Sequence, residues 1–223
     1  MTLAVAFVPS APVLIPDVGV DSSPELDDLR TAAIEAVRDV VRDASHVVVV
    51  AAGSTGRLVE GPVRASFAGF GVDREIGAGE LVQWPAGIAL WLLTQAGWQG
   101  SIDVVECDDD VTASSALVVQ ALTAADAVIV VGDGSAGLGP KAPGYVIDGA
   151  HDFDTALAAA LASGDASALA LLNAAEGQRV QAAGVPVFRA LGVALSERAI
   201  DASLRLHTSP FGVGYFVATW RST

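Results

Sequence analysis

The feature that most constrains the fold is a continuous apolar run, Ala127–Val131, that leads directly into a glycine-rich loop. Four of its residues in succession are β-branched, a pattern typical of a strand buried on both faces of a parallel sheet. The loop that follows carries Lys141, the only lysine of the chain. In open α/β sheets the loops at the carboxyl ends of the strands form the binding crevice. We therefore expect any functional site to involve this loop.

Other short apolar runs also have the character of strands, and segments with helical spacing lie between them. The predicted strands are Leu3–Val8 and residues 47–51, 101–106 and 127–131, followed by two alternating strands at 201–207 and 214–220. The predicted helices begin at Pro24, after a Ser23 cap, and span residues 85–96, 112–125, 152–162, 166–173, 174–183 and 187–195. This order predicts an α/β fold: a three-layer sandwich with a mainly parallel central sheet, helices on both faces, and a C-terminal antiparallel hairpin.

One region is less regular. Residues 57–83 show no clear period, and a strand is predicted there only over residues 67–72. With 223 residues the chain is long enough to bury a full core, and we predict one domain over residues 1–223.

Composition limits the classes of partner. The chain has 12 basic against 26 acidic residues and a net charge of −14, so we expect no nucleic-acid partner. No apolar run approaches the roughly 20 residues of a membrane span, and Pro9 and Pro12 interrupt the apolar stretch that a secretory signal would need. We therefore expect a cytoplasmic protein without membrane contact. Both a homo-oligomer and a complex with a different chain stay open.

The loop after residues 127–131 contains Gly-x-Gly-x-x-Gly, formed by Gly132, Gly134 and Gly137. A dinucleotide site would require a helix to open at the third glycine, so that helix amides meet the pyrophosphate. Pro140 and Pro143 follow closely and disfavour a helix there. The loop is better interpreted as a structural turn or as the lining of another site, and no cofactor is expected.

Several segments are similar to the LigB-type family, which belongs to the superfamily of class III extradiol ring-cleavage dioxygenases that also contains the Memo-like proteins. They are residues 7–16, with Pro9-Ser10-Ala11-Pro12, residues 47–56, residues 131–135 with 141–145, and the tail 210–220, which resembles a branch from high-GC bacteria. The resemblance spans nearly the whole chain and implies the family fold. In ring-cleaving members it also implies an Fe(II) site of two histidines and a carboxylate, with a further histidine as acid/base.

The residues at those positions differ from the ring-cleaving pattern. Ser10 stands where the first iron-binding histidine belongs, and the second position falls in Gly53-Ser54-Thr55-Gly56. The glycine-rich loop offers Ala136-Gly137-Leu138 where the acid/base histidine belongs, and no carboxylate side chain follows Asp201. Hydroxyls and glycines cannot replace the ligands of a 2-His-1-carboxylate site. We therefore predict that the family's ring cleavage does not carry over.

Four other residues are weak candidates for metal ligands. They are Asp108 and Asp110 of the Asp108-Asp109-Asp110 run, and His151 and His207. Acidic residues before a helix are more often solvated and stabilised by the helix dipole, so no metal site is predicted. Cys107, the single cysteine, excludes an internal disulfide and a cysteine-based zinc cluster, and we interpret it as a small buried hydrophobe.

Polar residues at the carboxyl ends of the predicted strands form the candidate ligand site. They are Ser10, Ser54, Thr55, Asp133, Ser135 and Lys141. No Ser-His-Asp pattern or nucleophile elbow occurs among them, and no catalytic residue is assigned. Lys141 is predicted either to pair with Asp133 or to meet an anionic ligand, with solvent exposure as the alternative.

Three functions remain open. The first is a LigB-like protein without ring cleavage that binds a small polar or anionic ligand in this crevice. The second is an enzyme on the same scaffold, either with a rebuilt metal site or metal-free through Asp133 and Lys141. The third is a non-catalytic subunit whose partner carries the chemistry.

Overall fold

The computed structural model describes residues 2–18 and 23–222, which form a central sheet flanked by helices. The strands are β1 (Leu3–Val8), β2 (His46–Ala52), β3 (Arg57–Glu60), β4 (Val63–Ser66), β5 (Glu75–Gly77), β6 (Glu80–Leu81), β7 (Ser101–Cys107), β8 (Ala127–Val131), β9 (Ile200–Thr208) and β10 (Tyr215–Ser222). The helices are α1 (Pro24–Val41), α2 (Trp84–Gln95), α3 (Val111–Leu122), α4 (Ala150–Ser163), α5 (Ala166–Ala170), α6 (Ala174–Arg179) and α7 (Val185–Leu195). The predicted α/β class is confirmed.

The central sheet is mixed. Its seven strands lie in the order β3-β7-β2-β8-β1-β10-β9. The four strands predicted from the apolar runs are parallel neighbours at its centre, whereas β3, β10 and β9 are antiparallel to their neighbours. The prediction of a mainly parallel sheet is therefore wrong. A parallel pair needs a crossover of roughly a dozen residues or more, and the turns after β2 and between β9 and β10 are too short to provide one.

The strand β8 shows why its sequence is apolar throughout. Ile129 and Val131 face the core under α1 and α2, whereas Val128 and Val130 face the core under α3, α4, α5 and α7. Helices therefore cover both faces of the sheet, consistent with the predicted three layers.

The C-terminal hairpin of β9 and β10 is confirmed, and β10 also pairs with β1. Trp220 at the end of β10 is fully buried and donates its indole N–H to the carbonyl of Leu161 in α4 at 2.8 Å. Its ring packs edge-on against Phe7 of β1, with centroids 4.7 Å apart. These contacts anchor the hairpin to the sheet and to α4.

In the region 57–83, β3 joins the central sheet, and the rest is organised by aromatic packing and by a second, three-stranded sheet in the order β5-β4-β6. The strand predicted over residues 67–72 is wrong, because residues 68–70 form a short 3-10 turn and Gly71 has a left-handed backbone (φ 80°). Phe67 is buried, and Phe70 packs edge-on against Trp84 at 5.1 Å between centroids. Aromatic packing of Phe67 and Phe70, and not the expected strand pairing, therefore fixes this segment.

Helix ends follow the capping residues. The Ser23 hydroxyl accepts the N–H of Leu26 at 3.2 Å and starts α1, as predicted. The predicted helices 166–173 and 174–183 are shorter than expected, ending at Ala170 and Arg179. The start of α6 is as predicted, and the Asn173 side chain caps it by accepting the N–H of Glu176. Among the described helices, none has the length and the apolar character needed to cross a membrane.

Candidate functional site

Ser10 and Asp133 face each other at the carboxyl edge of the sheet. They follow the paired residues Val8 of β1 and Val131 of β8 at the same offset, so the parallel register brings them together. The Ser10 backbone N–H donates to Asp133 Oδ1 at 2.7 Å, and the Ser10 hydroxyl donates to Asp133 Oδ2 at 2.7 Å. One serine therefore satisfies both oxygens of the carboxylate.

The Asp133 carboxyl has an unusual electrostatic environment. Burial raises its pKa from 3.8 to about 6, although both hydrogen bonds from Ser10 favour the charged form. The negative charge of Asp154 raises the pKa further. Asp133 therefore changes protonation close to neutral pH.

Asp154 of α4 lies beneath the glycine-rich loop and is only 2% exposed. Its Oδ1 accepts the backbone N–H of Ser135 at 2.8 Å, whereas Oδ2 has no hydrogen-bond partner among the described residues. A Cβ at Gly214 would overlap Oδ2, and one at Gly134 would lie 2.6 Å from Oδ1. Only glycines allow the loop and the start of β10 to close around this carboxyl, whose pKa burial raises.

Tyr215, the first residue of β10, completes the cluster. It is 6% exposed, and burial together with the negative charge of Asp133 raises the pKa of its hydroxyl. The preceding Gly214 exchanges backbone hydrogen bonds of 2.8 Å with Gly134 and Ser135, which ties β10 to the glycine-rich loop. The cluster thus joins β1, β8, α4 and β10.

Two residues of this cluster, Asp154 and Tyr215, were not among the site residues predicted from the sequence. Asp154 lies three and seven residues before Leu157 and Leu161, on the buried face of α4, so helical spacing alone could have identified a buried acid. Tyr215 has no comparable signal, because its approach to Asp133 depends on the pairing of β10 with β1.

Ser54 and Thr55 belong to a different part of the same edge. Both are exposed, and the Ser54 hydroxyl accepts the Gln83 side-chain N–H at 2.5 Å. Gln83 in turn donates its backbone N–H to Glu106, which is 1% exposed. The Arg57 side chain donates Nε–H to Glu106 at 2.6 Å, and this ion pair raises the pKa of Arg57.

The remaining candidate ligand residues have separate surroundings. Ser135 is fully buried and supports the loop through its N–H to Asp154. Lys141 is exposed and makes no ion pair with Asp133 or with any other residue in the described ranges. Of the six candidates, the structure brings only Ser10 and Asp133 into direct side-chain contact with each other.

The weak metal candidates have other roles. The Asp108 carboxylate accepts N–H groups of Gly56 and Asp110, which lowers its pKa, and Asp110 caps α3. His151 is exposed in the first turn of α4, and His207 is exposed on β9, where its ring stacks on Phe216 at 4.4 Å. Across residues 2–18 and 23–222, no three His, Cys, Asp or Glu side chains are arranged to hold a metal ion.

The residues that the resemblance assigns to iron-binding positions do not fit that metal. The Ser10 hydroxyl is engaged by Asp133, the turn after β2 presents exposed hydroxyls, and neither position supplies the imidazoles that a 2-His-1-carboxylate centre requires. Cys107 is buried in β7, and burial raises the pKa of its thiol to about 12, so it is not a reactive thiolate.

The Ser10–Asp133 pair has a defined chemical capacity. A carboxylate accepts hydrogen bonds from a ligand, and a carboxyl with a pKa of about 6 can also take up or release a proton. No histidine hydrogen-bonds to Ser10 within the described part of the chain, so the serine is not a histidine-activated nucleophile.

Comparison with models of known protein families gives no match to this chain, and comparison with curated proteins gives none either. Functional inference therefore rests on the chain's own residues and their geometry.

Proposed function

We propose that this protein is LigB-like, does not cleave aromatic rings, and binds a small polar ligand at the carboxyl edge of the sheet beside Ser10 and Asp133. The observation that carries the proposal is the doubly hydrogen-bonded Ser10–Asp133 pair. The resemblance would place this pair where ring-cleaving members of the family hold iron. The edge itself, where parallel strands end, is the usual binding crevice of open α/β sheets.

Charge determines which ligand this pair accepts. Asp133 and Asp154 lie close enough for their charges to interact, and no cation forms an ion pair with either carboxylate in the described ranges. An anion placed there would be repelled, whereas a ligand that donates hydrogen bonds would satisfy the free lone pairs of Asp133. The ligand of this pair is therefore a hydroxyl- or amine-bearing molecule.

A second candidate function is metal-free acid/base catalysis by Asp133. The observation that favours it is the pKa of about 6, which suits a group that accepts and returns a proton near neutral pH. In that case Asp133 takes a proton from a bound hydroxyl or amine, and Ser10 keeps the carboxylate oriented.

Three measurements test the binding proposal against ring cleavage. We expect no stoichiometric iron in the purified protein and no ring opening of catechols after anaerobic Fe(II) loading and exposure to oxygen. Oxygen uptake with a yellow ring-opened product would contradict the proposal. A thermal-shift screen of polyols and primary amines should find ligands whose effect is lost in Asp133→Asn and Ser10→Ala, but retained in Asp126→Asn.

Turnover would distinguish catalysis from binding. Conversion of a bound molecule, with a rate that depends on one ionisation near pH 6 and is lost in Asp133→Asn, would favour the acid/base enzyme. Stoichiometric co-purification of a second chain would instead favour the non-catalytic subunit. Equal stabilisation of wild type and Asp133→Asn by every ligand found would remove Asp133 from the site.

A further inference from the structure

A cleft of about 520 Å³ opens between the start of α3, the short helix α6 and the start of α7. It lies on the face of the sheet opposite α1 and α2. Asp109, at its rim, follows the carboxyl end of β7. The backbone N–H of Gly184, just before α7, donates to the Asp133 carbonyl at 3.0 Å, so the cleft adjoins the end of β8 without including the Ser10–Asp133 pair.

Arg189 of α7 lines this cleft and lacks the partners that a guanidinium normally has. Its Nε is buried and has no hydrogen-bond acceptor among the described residues. It also forms no ion pair with any carboxylate of residues 2–18 and 23–222. A buried donor left without an acceptor is costly, and a charged one more so. Arg189 as a whole is only partly buried and lines the cleft, so its charge is available to an anion there.

The start of α7 adds to the positive character of the cleft. No side chain of residues 2–18 and 23–222 caps the first turn of α7, and Val185 and Pro186 from that turn line the cleft. Partial positive charge from the helix dipole is therefore not offset by a capping carboxylate at this end. By contrast, Asp110 caps the start of α3.

The other walls of the cleft define the ligand further. Val111, Ala182 and Val185 provide apolar surface, which suits a hydrocarbon body. Asp109 brings one negative charge to the same cleft and disfavours a phosphate or a dicarboxylate. One guanidinium and one carboxylate fit a ligand with a single anionic end.

We propose that this cleft is a second binding site, which holds a small organic monocarboxylate with an apolar body, its carboxylate on Arg189. The planar guanidinium matches the geometry of a carboxylate, and that of Arg189 has no carboxylate partner among the described residues. This site is independent of the ligand proposed for Asp133, since the two differ in location and in the sign of the charge they bind.

The test is calorimetric titration of the full chain with benzoate, phenylacetate and hexanoate. We expect at least one of them to saturate the wild-type protein at millimolar concentration or below. Benzamide, which keeps the ring but lacks the charge, should bind at least about tenfold more weakly than benzoate. Inorganic phosphate should not compete with the carboxylate.

Two variants and a matched control locate the site. Arg189→Gln should weaken carboxylate binding by about tenfold or more, whereas Arg38→Gln, which removes the same charge from the exposed surface of α1, should leave it unchanged. Ala183→Trp places a large side chain at an exposed position of the cleft lining and should block binding with Arg189 intact.

Several results would overturn the proposal. They are failure of all three carboxylates to saturate the wild type, competition by phosphate, and benzamide binding as tight as that of benzoate. Equal affinity in wild type and Arg189→Gln, or unchanged affinity in Ala183→Trp, would do so as well. If Arg189→Gln does not fold, Ala183→Trp decides alone. Asp133→Asn should leave carboxylate affinity unchanged. A failure of the Arg189 proposal can therefore be distinguished from a failure of the Asp133 proposal.

Discussion

Two carboxylates lie at the same edge of the central sheet, Glu106 buried and Asp133 partly buried, and their charges are satisfied in different ways. Glu106 at the end of β7 is 1% exposed and is neutralised by the Arg57 guanidinium at 2.6 Å. Asp133 beyond the end of β8 receives, from the described residues, only the N–H and O–H of Ser10, with Asp154 as a second negative charge nearby. A carboxylate paired with a cation stays ionised and has a structural role. A carboxylate held by neutral donors can still gain or lose a proton, and a ligand can use that exchange.

The largest expected effect comes from removing the cation of the first pair. Arg57→Met leaves Glu106 buried with only the Gln83 N–H as donor, and we expect a loss of about 3 kcal/mol in the free energy of unfolding. Arg64→Met is the matched control, since it breaks an exposed pair with Glu75 that is worth about 1 kcal/mol or less. Urea unfolding followed by circular dichroism measures both, and equal losses would show that the Glu106 pair is not structural.

The next prediction concerns pH, and here the substitution should raise the free energy of unfolding, whereas Arg57→Met should lower it. The pKa of Asp133 is raised by folding, so between about pH 4 and pH 6 only the folded chain holds this proton. The stability that this bound proton gives the folded state is therefore lost as pH rises through about 6. Above that pH the folded state bears the full cost of the charged carboxylate. At about 1.4 kcal/mol per pKa unit, Asp133→Asn should stabilise the protein by up to about 3 kcal/mol at neutral pH and by much less near pH 4.

Asp126 provides the control for this comparison of stability at neutral pH and near pH 4. Its carboxylate accepts hydrogen bonds from Ser45 and His46, which lower its pKa. Its contribution is present above the ordinary carboxyl pKa and is lost as pH falls, so Asp126→Asn should destabilise the protein at neutral pH. Stabilisation by both substitutions, or by neither, would contradict the contrast between the two carboxyls.

A third effect tests the close packing of Gly134 and Gly214 around the Asp154 carboxyl. A Cβ at Gly214 would overlap Asp154 Oδ2, and we expect Gly214→Ala to cost about 2 kcal/mol through overpacking. Asp154→Ala removes the clashing oxygen, so the double variant should lose less than the sum of the two single variants. Thermal unfolding of the four proteins measures this, and strict additivity would mean that Gly214 is required for another reason.

The smallest effect is expected at Lys141. Its side chain is exposed and outside any ion pair of the described residues, so Lys141→Met should change the free energy of unfolding by less than about 0.5 kcal/mol. A loss above about 1 kcal/mol in the same thermal measurement would place this lysine in an interaction with the loop or with Asp133.

Much of the fold and the centre of the site were encoded locally. A run such as 127–131, apolar at every position, can be stable only between two layers, and this determined both the strand and its central place in the sheet. Ser10 and Asp133 follow the ends of two such strands at equal distance, so parallel pairing alone was sufficient to bring them into contact. The cap at Ser23 likewise depends only on its neighbours in the chain.

Tertiary structure decided what local pattern does not encode. The direction and position of β3 and β10 come from pairing with β7 and β1, strands distant in sequence, and alternation within a strand is the same for parallel and antiparallel neighbours. Arg57 meets Glu106 across 49 residues of sequence, and α4 brings Asp154 beneath a loop 19 residues earlier. Burial and charge pairing depend on which groups, distant in sequence, the fold brings into contact. Only the folded chain therefore distinguishes Glu106, which is paired with a cation, from Asp133, which can still gain or lose a proton near pH 6.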